Sequence, residues 1–199
     1  GELWHSGGDV PDYLTKFTNG TGEVTEVNYV PLTDNSVYDV SSNPVSWVYP
    51  YISMRPAMQV VHSLGVDDGL GAAEGDYLTH YVYSEAAVHT FGYGFLGFRA
   101  FTSTDERRGN QAVQVLDQVY PYIGREIESE SLGLDPVGGV NLETVMKTYN
   151  TWEKLSLNGD KTVFPYVTDS KAYQYELSAE TVNDPAFDSP IKTTVTSNI

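Results

Sequence analysis

The chain has 199 residues, enough for one large domain or two small ones and for a core that needs no covalent staples. Its 27 acidic and 11 basic residues give a formal net charge of −16, which disfavours a phosphate-binding footprint and attraction to anionic membranes. It contains no cysteine, which excludes disulfides, thiolate nucleophiles and cysteine zinc sites.

The chain opens Gly1-Glu2-Leu3-Trp4, without initiator Met or a basic-then-apolar leader, which reads as a processed product or an excised piece. Abundant Gly (18), Pro (10) and Tyr (15) among β-branched residues predict an all-β chain. Asp12 to Thr18 alternates in polarity, and Asn19-Gly20-Thr21-Gly22 follows as a hairpin turn. Glu23 to Val30 is the return strand, stopped by Pro31. Asn19-Gly20-Thr21 also spells a glycosylation acceptor, but the turn accounts for it better. Val45 to Ile52 is apolar but broken by Pro50, so it suits an edge strand or a covering loop. Ala57 to Val66 reads as a strand closed by Asp67-Asp68-Gly69-Leu70-Gly71.

Tyr81 to Thr104 is the most informative stretch. Two alternating apolar runs flank Gly92-Tyr93-Gly94-Phe95-Leu96-Gly97-Phe98, and the expected geometry is strand, tight glycine turn, strand. Further on, Gln111 to Tyr120 and Gly124 to Glu130 read as strands, and Leu132 to Gly139 as a loop and the best internal boundary. In Asn141 to Leu155 the apolar residues Leu142, Val145, Met146, Tyr149, Trp152 and Leu155 follow a helical stripe, with Asn141 as N-cap. Thr144, Thr148 and Thr151 argue for extended structure there. Val163 to Leu177 holds at least one strand, Asn183 to Pro190 is a loop, and Ile191 to Thr196 is a last edge strand.

Candidate chemistry is sparse. The histidines His5, His62, His80 and His89 lack zinc-ligand spacing, although His80 and His89 sit on either side of the expected strand break and are candidates to meet in space. Glu126, Glu128 and Glu130 share a period-2 face that reads as solvated. Asp67-Asp68-Gly69-Leu70-Gly71 reads as a plain turn, with a calcium cradle as the second reading. The string Gly92-x-Gly94-x-x-Gly97 matches a nucleotide-binding pattern, but a strand rather than a helix follows it, so that reading is rejected. The glycines serve positive φ instead. No catalytic, cofactor or metal residue is assigned, and no apolar run approaches the ~20 residues of a membrane-spanning helix.

Ordered blocks suggest a family. Asp12-Tyr13-Leu14-Thr15-Lys16-Phe17-Thr18-Asn19-Gly20-Thr21-Gly22, Tyr29-Val30-Pro31-Leu32-Thr33-Asp34, Tyr81-Val82-Tyr83 and Gly94-Phe95-Leu96-Gly97-Phe98-Arg99 come first. Tyr120-Pro121-Tyr122-Ile123-Gly124, Asn150-Thr151-Trp152 and Phe164-Pro165-Tyr166-Val167 follow in the same order. Together they resemble the shell region of toxin-complex B subunits and related Rhs/YD-repeat (SpvB-like) proteins. One departure is Tyr93, where that family usually has Arg.

The resemblance implies an extended antiparallel, shell-like or sandwich-like sheet spanning 1–199 as one segment of a larger secreted bacterial shell protein. It implies extended structure over 142–155, against the helical stripe. It implies neighbouring β-sheet segments or other toxin-complex subunits as partners, with no catalysis, cofactor or nucleic acid. Asp135-Pro136-Val137-Gly138 matches the Rhs self-cleavage string only by chance, because the second aspartate motif is missing. Two other readings remain: a β-sandwich that recognises glycan or protein through surface aromatics, and an enzyme built on convergent His80, His89 and a carboxylate.

Overall fold

The computed structural model describes residues 13–39, 47–67, 69, 77–134, 142–159, 161–176 and 190–197. The all-β expectation holds: among the described residues there are twelve strands and no helix. They are β1 (Lys16–Thr18), β2 (Val24–Pro31), β3 (Tyr38–Asp39), β4 (Tyr51–Ser53), β5 (Gln59–Val66) and β6 (Tyr77–His89). Then come β7 (Gly94–Asp105), β8 (Gln111–Leu116), β9 (Glu126–Leu134), β10 (Leu142–Leu157), β11 (Thr162–Gln174) and β12 (Lys192–Ser197). They form one sheet in the order β1-β2-β5-β6-β7-β8-β9-β10-β11-β12, with β3 and β4 placed against β6, so from β6 onward each strand lies beside its predecessor in sequence. The sheet does not close on itself. All pairings are antiparallel except the short one between β3 and β6.

The β1–β2 hairpin forms as read, with Lys16 opposite Glu26 and joined to it at 2.7 Å. Its tip differs from a tight Asn-Gly turn. Asn19 Oδ1 accepts from the amides of Thr21 and Glu23, each at 3.0 Å, and the positive φ falls on Gly22 at 91°. The side chain of Asn19 therefore acts as the turn's template and widens the loop.

One flank of β6 is shared by three elements: β5 pairs with its start, β3 with its middle and β4 with its end. The excursion between β2 and β5 thus folds back along β6 and covers the sheet there. Leu32, Val37, Tyr38, Val60 and Ala86 are buried together under it, with Val30, Tyr83 and Phe98 packed alongside. Polar groups inside this core are paired. The Ala86 amide donates to the Tyr38 hydroxyl at 3.0 Å, and the Tyr83 hydroxyl donates to the Val61 carbonyl at 3.1 Å. Burial pushes the Tyr83 phenol above its ordinary value, with Tyr81 adding to it. Arg55 caps the cluster, donating from Nε to the Leu32 carbonyl at 2.8 Å while its guanidinium lies 4.9 Å from the Tyr38 ring centroid.

The long β6–β7 hairpin is bent. Its register shifts between Ala86 and Val88, and both strands place a residue in left-handed space, Glu85 at φ 53° and Gly97 at φ 83°. Gln118, fully buried just past β8, fits into this bend. Its Nε2 donates to the Glu85 and Gly97 carbonyls, both at 2.9 Å, while its Oε1 is buried without a partner. The carbonyls freed by the register shift find their donor there.

One conflict is decided and one sequence expectation is corrected. The extended structure that the resemblance implied over 142–155 is present as strand β10, paired along β9 and β11, against the helical stripe. Pairing with β9 from Leu142 to Tyr149 and with β11 from Met146 to Leu157 gives the strand main-chain partners along its length, and the β-branched threonines suit it. The loop expected from Leu132 begins later, because Leu132, Gly133 and Leu134 continue β9 opposite Thr144, Glu143 and Leu142. The rest of that loop, Asn141, Asp135-Pro136-Val137-Gly138 and the expected loop from Asn183 onward lie outside the described residues, apart from Pro190.

Removing the bend's internal donor should be costly. Gln118→Ala removes two hydrogen bonds to main-chain carbonyls and is expected to lower stability by about 1–3 kcal/mol, read as a lower urea midpoint at unchanged slope. A glycine pair separates backbone strain from crowding. Gly97→Ala meets open space and should cost only the left-handed penalty, about 1–2 kcal/mol. Gly109→Ala, also at positive φ, drives its Cβ into the Leu134 side chain and should cost visibly more in the same denaturation series.

Candidate functional site

Three loops meet at one end of the sheet. They are the segment entering β4, the β6–β7 turn and the β8–β9 turn. The first two are tied by their backbones: the Thr90 amide donates to the Pro50 carbonyl at 3.0 Å. The Gly124 amide and the Asp117 carbonyl close the β8–β9 turn at 2.8 Å.

On this base the rings form a continuous chain. Trp47 stacks on Tyr51, whose ring meets His89 edge-on at 4.7 Å. His89 meets Tyr93 at 4.8 Å, and Tyr93 stacks on Tyr120 at 4.9 Å with only 18° between planes. Tyr49 meets Phe91 edge-on beside them at 5.3 Å. Each contact adds about 0.5–1.5 kcal/mol beyond its buried area, so the rings hold one another in place. His89 is buried in this chain, whereas Val48, Tyr49, Phe91, Tyr93, Phe95, Val119 and Tyr120 are exposed. Tyr93, the departure from the pattern that the resemblance implied, is thus the ring that joins His89 to Tyr120.

The glycine string behaves as a turn. Gly92, Gly94 and Gly97 all adopt positive φ, and a strand follows, so no helix N-terminus is present to receive a phosphate.

The expected meeting of His80 and His89 does not occur. Both lie on β6, nine residues apart, which is roughly 30 Å along an extended strand. Sequence proximity across a glycine turn misled here because β6 carries both residues before the turn begins. His80 instead lies with its ring centroid 5.2 Å from that of His62 on β5, and its Nε2 is 3.1 Å from Glu106 Oε1. His62 Nδ1 is buried without a partner. Among the described residues no group of three or more His, Asp or Glu is arranged to hold a metal ion. His5 and Asp68 lie outside the described residues, so the calcium reading of the Asp67-Asp68 turn has no geometry to rest on. Asp67 itself accepts from the Gly69 amide at 2.8 Å, as a turn aspartate does.

The glutamates of β9 are not a freely solvated face. Lys147 on β10 reaches Glu128 at 2.8 Å and Glu130 at 3.6 Å, and the Thr144 hydroxyl donates to Glu130. The Glu128 hydrogen bond, foremost, holds the Lys147 ammonium well above the usual lysine range. The Glu126 carbonyl accepts from Trp152 Nε1 at 2.8 Å and Asn150 Nδ2 at 3.3 Å, while Arg125 lies over the Trp152 ring. Asn150 and Trp152 thereby fasten β10 to the start of β9. Sequence reading missed Gln118, Lys147 and the His62–His80 contact because each depends on a cross-strand or main-chain partner distant in sequence.

Lys147→Met strands two neighbouring carboxylates and should cost about 1–2 kcal/mol at neutral pH, discounted because Lys147 and Glu128 keep side-chain exposures of 25% and 32%. Since the folded-state lysine titrates above its unfolded value of about 10.4, the wild-type advantage should be flat from neutral to about pH 10 and shrink only above that. Paired denaturation curves at stepped pH check both magnitude and sign.

Comparison with known proteins adds a family. Residues 8–122 match the model of the insecticide toxin TcdB middle/N-terminal region. No curated protein gave a match. Among solved structures, a chain of the TcdB2-TccC3-Cdc42 crystal structure superposes with a TM-score of 0.51 at 12% identity. The similarity covers 77% of this chain and 10% of that one, so this chain spans about a tenth of its length. At that identity the likeness is one of fold.

Proposed function

The chain belongs to the family of the insecticide toxin TcdB middle/N-terminal region, and from that premise we propose that it is a non-catalytic stretch of wall in a secreted, Rhs-like bacterial toxin-shell protein. The observation that carries this reading is the sheet itself. It is open, extends almost strand by strand along the chain, and buries little of its own apolar surface. Among the described residues seven apolar side chains are buried, while twenty large ones are exposed. A sheet with so small a core gains stability when further layers or strands cover it. Neighbouring β-sheet segments of a larger polypeptide, or other toxin-complex subunits, are the partners that fit.

The β12 end of the sheet supports the same reading. Among the described residues β12 pairs only with β11, and it is exposed along its whole length, with an unbroken register and no proline. Such an edge is a template for another strand. The histidines and carboxylates form no convergent site among the described residues, which supports a structural over a catalytic role.

Amide hydrogen exchange tests the wall reading. β12 amides should exchange quickly in the isolated chain and at least about tenfold more slowly in the longer toxin-shell polypeptide that contains it. Equal rates in the two contexts would overturn the proposal. The non-catalytic part is tested separately: the double change His80→Ala and Glu106→Ala in the full toxin should leave toxicity intact. Loss of toxicity with normal assembly would point to chemistry at that pair.

A second reading, binding through surface aromatics, is favoured by one observation. Exposed rings gather at the three-loop end of the sheet. It is compatible with the first, because those loops lie away from the sheet edges.

A further inference from the structure

We propose that the loop between β10 and β11 carries a site of spontaneous covalent modification, where Asn158 converts to aspartate and isoaspartate with water as the co-reactant. This goes beyond the wall reading and does not depend on it.

The chemistry needs a particular pair of residues. The main-chain nitrogen after an asparagine attacks the side-chain carbon Cγ. A new C–N bond closes a succinimide ring, the Cγ–Nδ2 bond breaks, and Nδ2 leaves as ammonia with the proton given up by the attacking amide. Water then opens the ring at either carbonyl. One opening gives aspartate, and the other gives isoaspartate, with the main chain rerouted through the side chain. Nothing is oxidised or reduced. Glycine in the following position favours the attack, because no Cβ crowds the nitrogen. The chain has two such pairs, Asn19-Gly20 and Asn158-Gly159.

The fold treats the two differently. At Asn19 both polar atoms of the side chain are engaged. Oδ1 accepts from the amides of Thr21 and Glu23, each at 3.0 Å, and from the Thr21 hydroxyl at 2.6 Å. Nδ2 donates to Glu23 Oε2 at 2.6 Å. The main chain is held too, with the Asn19 amide on the Glu23 carbonyl at 2.9 Å and the Gly22 amide on the Asn19 carbonyl at 3.1 Å. Attack at this Cγ requires those bonds to open first, because reacting atoms must come close in an aligned geometry.

Asn158 is the opposite case. It is exposed, and among the described residues no hydrogen bond or ion pair involves its side chain. Gly159 stands in open space, with no atom within 4 Å of where a Cβ would lie. Asn158 holds left-handed φ at 53°, and no side-chain bond fixes it there. The rotation that brings the Gly159 nitrogen onto Cγ is therefore free of the ties that restrain Asn19.

Conversion adds a carboxylate to a chain already at −16, and isoaspartate lengthens the loop by a methylene. The β10–β11 ladder starts at Leu157 and Thr162, outside the altered unit, so the sheet persists around it. The product is a folded charge variant that marks the age of the chain.

Peptide mapping by mass spectrometry of the chain, incubated at neutral pH and physiological temperature, reads the result. Asn158 should take up the amide-to-acid mass increment at least about tenfold faster than Asn19, since each bond that must open first lowers the reactive fraction. Electron-transfer fragmentation should find isoaspartate among the products. The rate should rise with pH, because the attacking amide must lose its proton. In concentrated guanidinium chloride the two rates should converge, because the fold alone separates them. Equal rates in the folded chain overturn the proposal, as does an Asn158 that stays unconverted. So does a difference that persists undiminished in guanidinium chloride, which would belong to the local sequence and not to the structure.

Discussion

One buried side chain amide determines the shape of this sheet. Gln118 donates to two carbonyls that the β6–β7 bend removes from the ladder, one on each strand. Glu85 in left-handed space and the register shift beside it interrupt the ladder, and the Gln118 amide supplies hydrogen bonds at that interruption. The bend matters beyond its own hairpin. β6 receives β5, β3 and β4 along one flank and β7 along the other, so the direction of its second half sets where β4 and the turn after β6 lie. Arg99 reinforces the kink from β7, its Nε 3.3 Å from Glu85 Oε2. The small core under the β2–β5 excursion and the aromatic end both follow from this geometry.

Much of this was legible in the residues, and the failures have physical causes. Strand identity followed from period-2 alternation and turn chemistry, so β2, β5, β7 and β8 lie close to where alternation put them. The stripe in β10 failed because a register shift between Thr144 and Met146 interrupts the alternation. A bulge changes the phase of a strand, and apolar residues on the two sides of that change mimic a helical spacing. The glutamates of β9 were correctly placed on a strand, but their cation sits on the next one, at Lys147. The Gln118 partners are carbonyl groups, which leave no mark in a side-chain pattern. His80 and His89 shared one strand, so the turn that was expected to bring them together lay beyond both.

The family gives the aromatic end its context. Tyr93 stands where the resemblance implied arginine, and it stacks on Tyr120, which opens the Tyr-Pro-Tyr block of the β8–β9 turn. A guanidinium and a phenol ring both offer a flat face to such a neighbour. The substitution therefore keeps a planar contact between two turns while removing a positive charge.

The order of the strands has a consequence for how the chain comes to be folded. From β6 to β12 every strand pairs with the one made just before it. Few distant segments must find each other, so the entropy of closing long loops is met in small steps. A chain emerging from a ribosome or threading through an export channel can lay down this sheet progressively, each new strand meeting an edge already in place. The N-terminal excursion is the exception, since β3 and β4 must wait for β6, and the first lasting core forms only when that strand arrives.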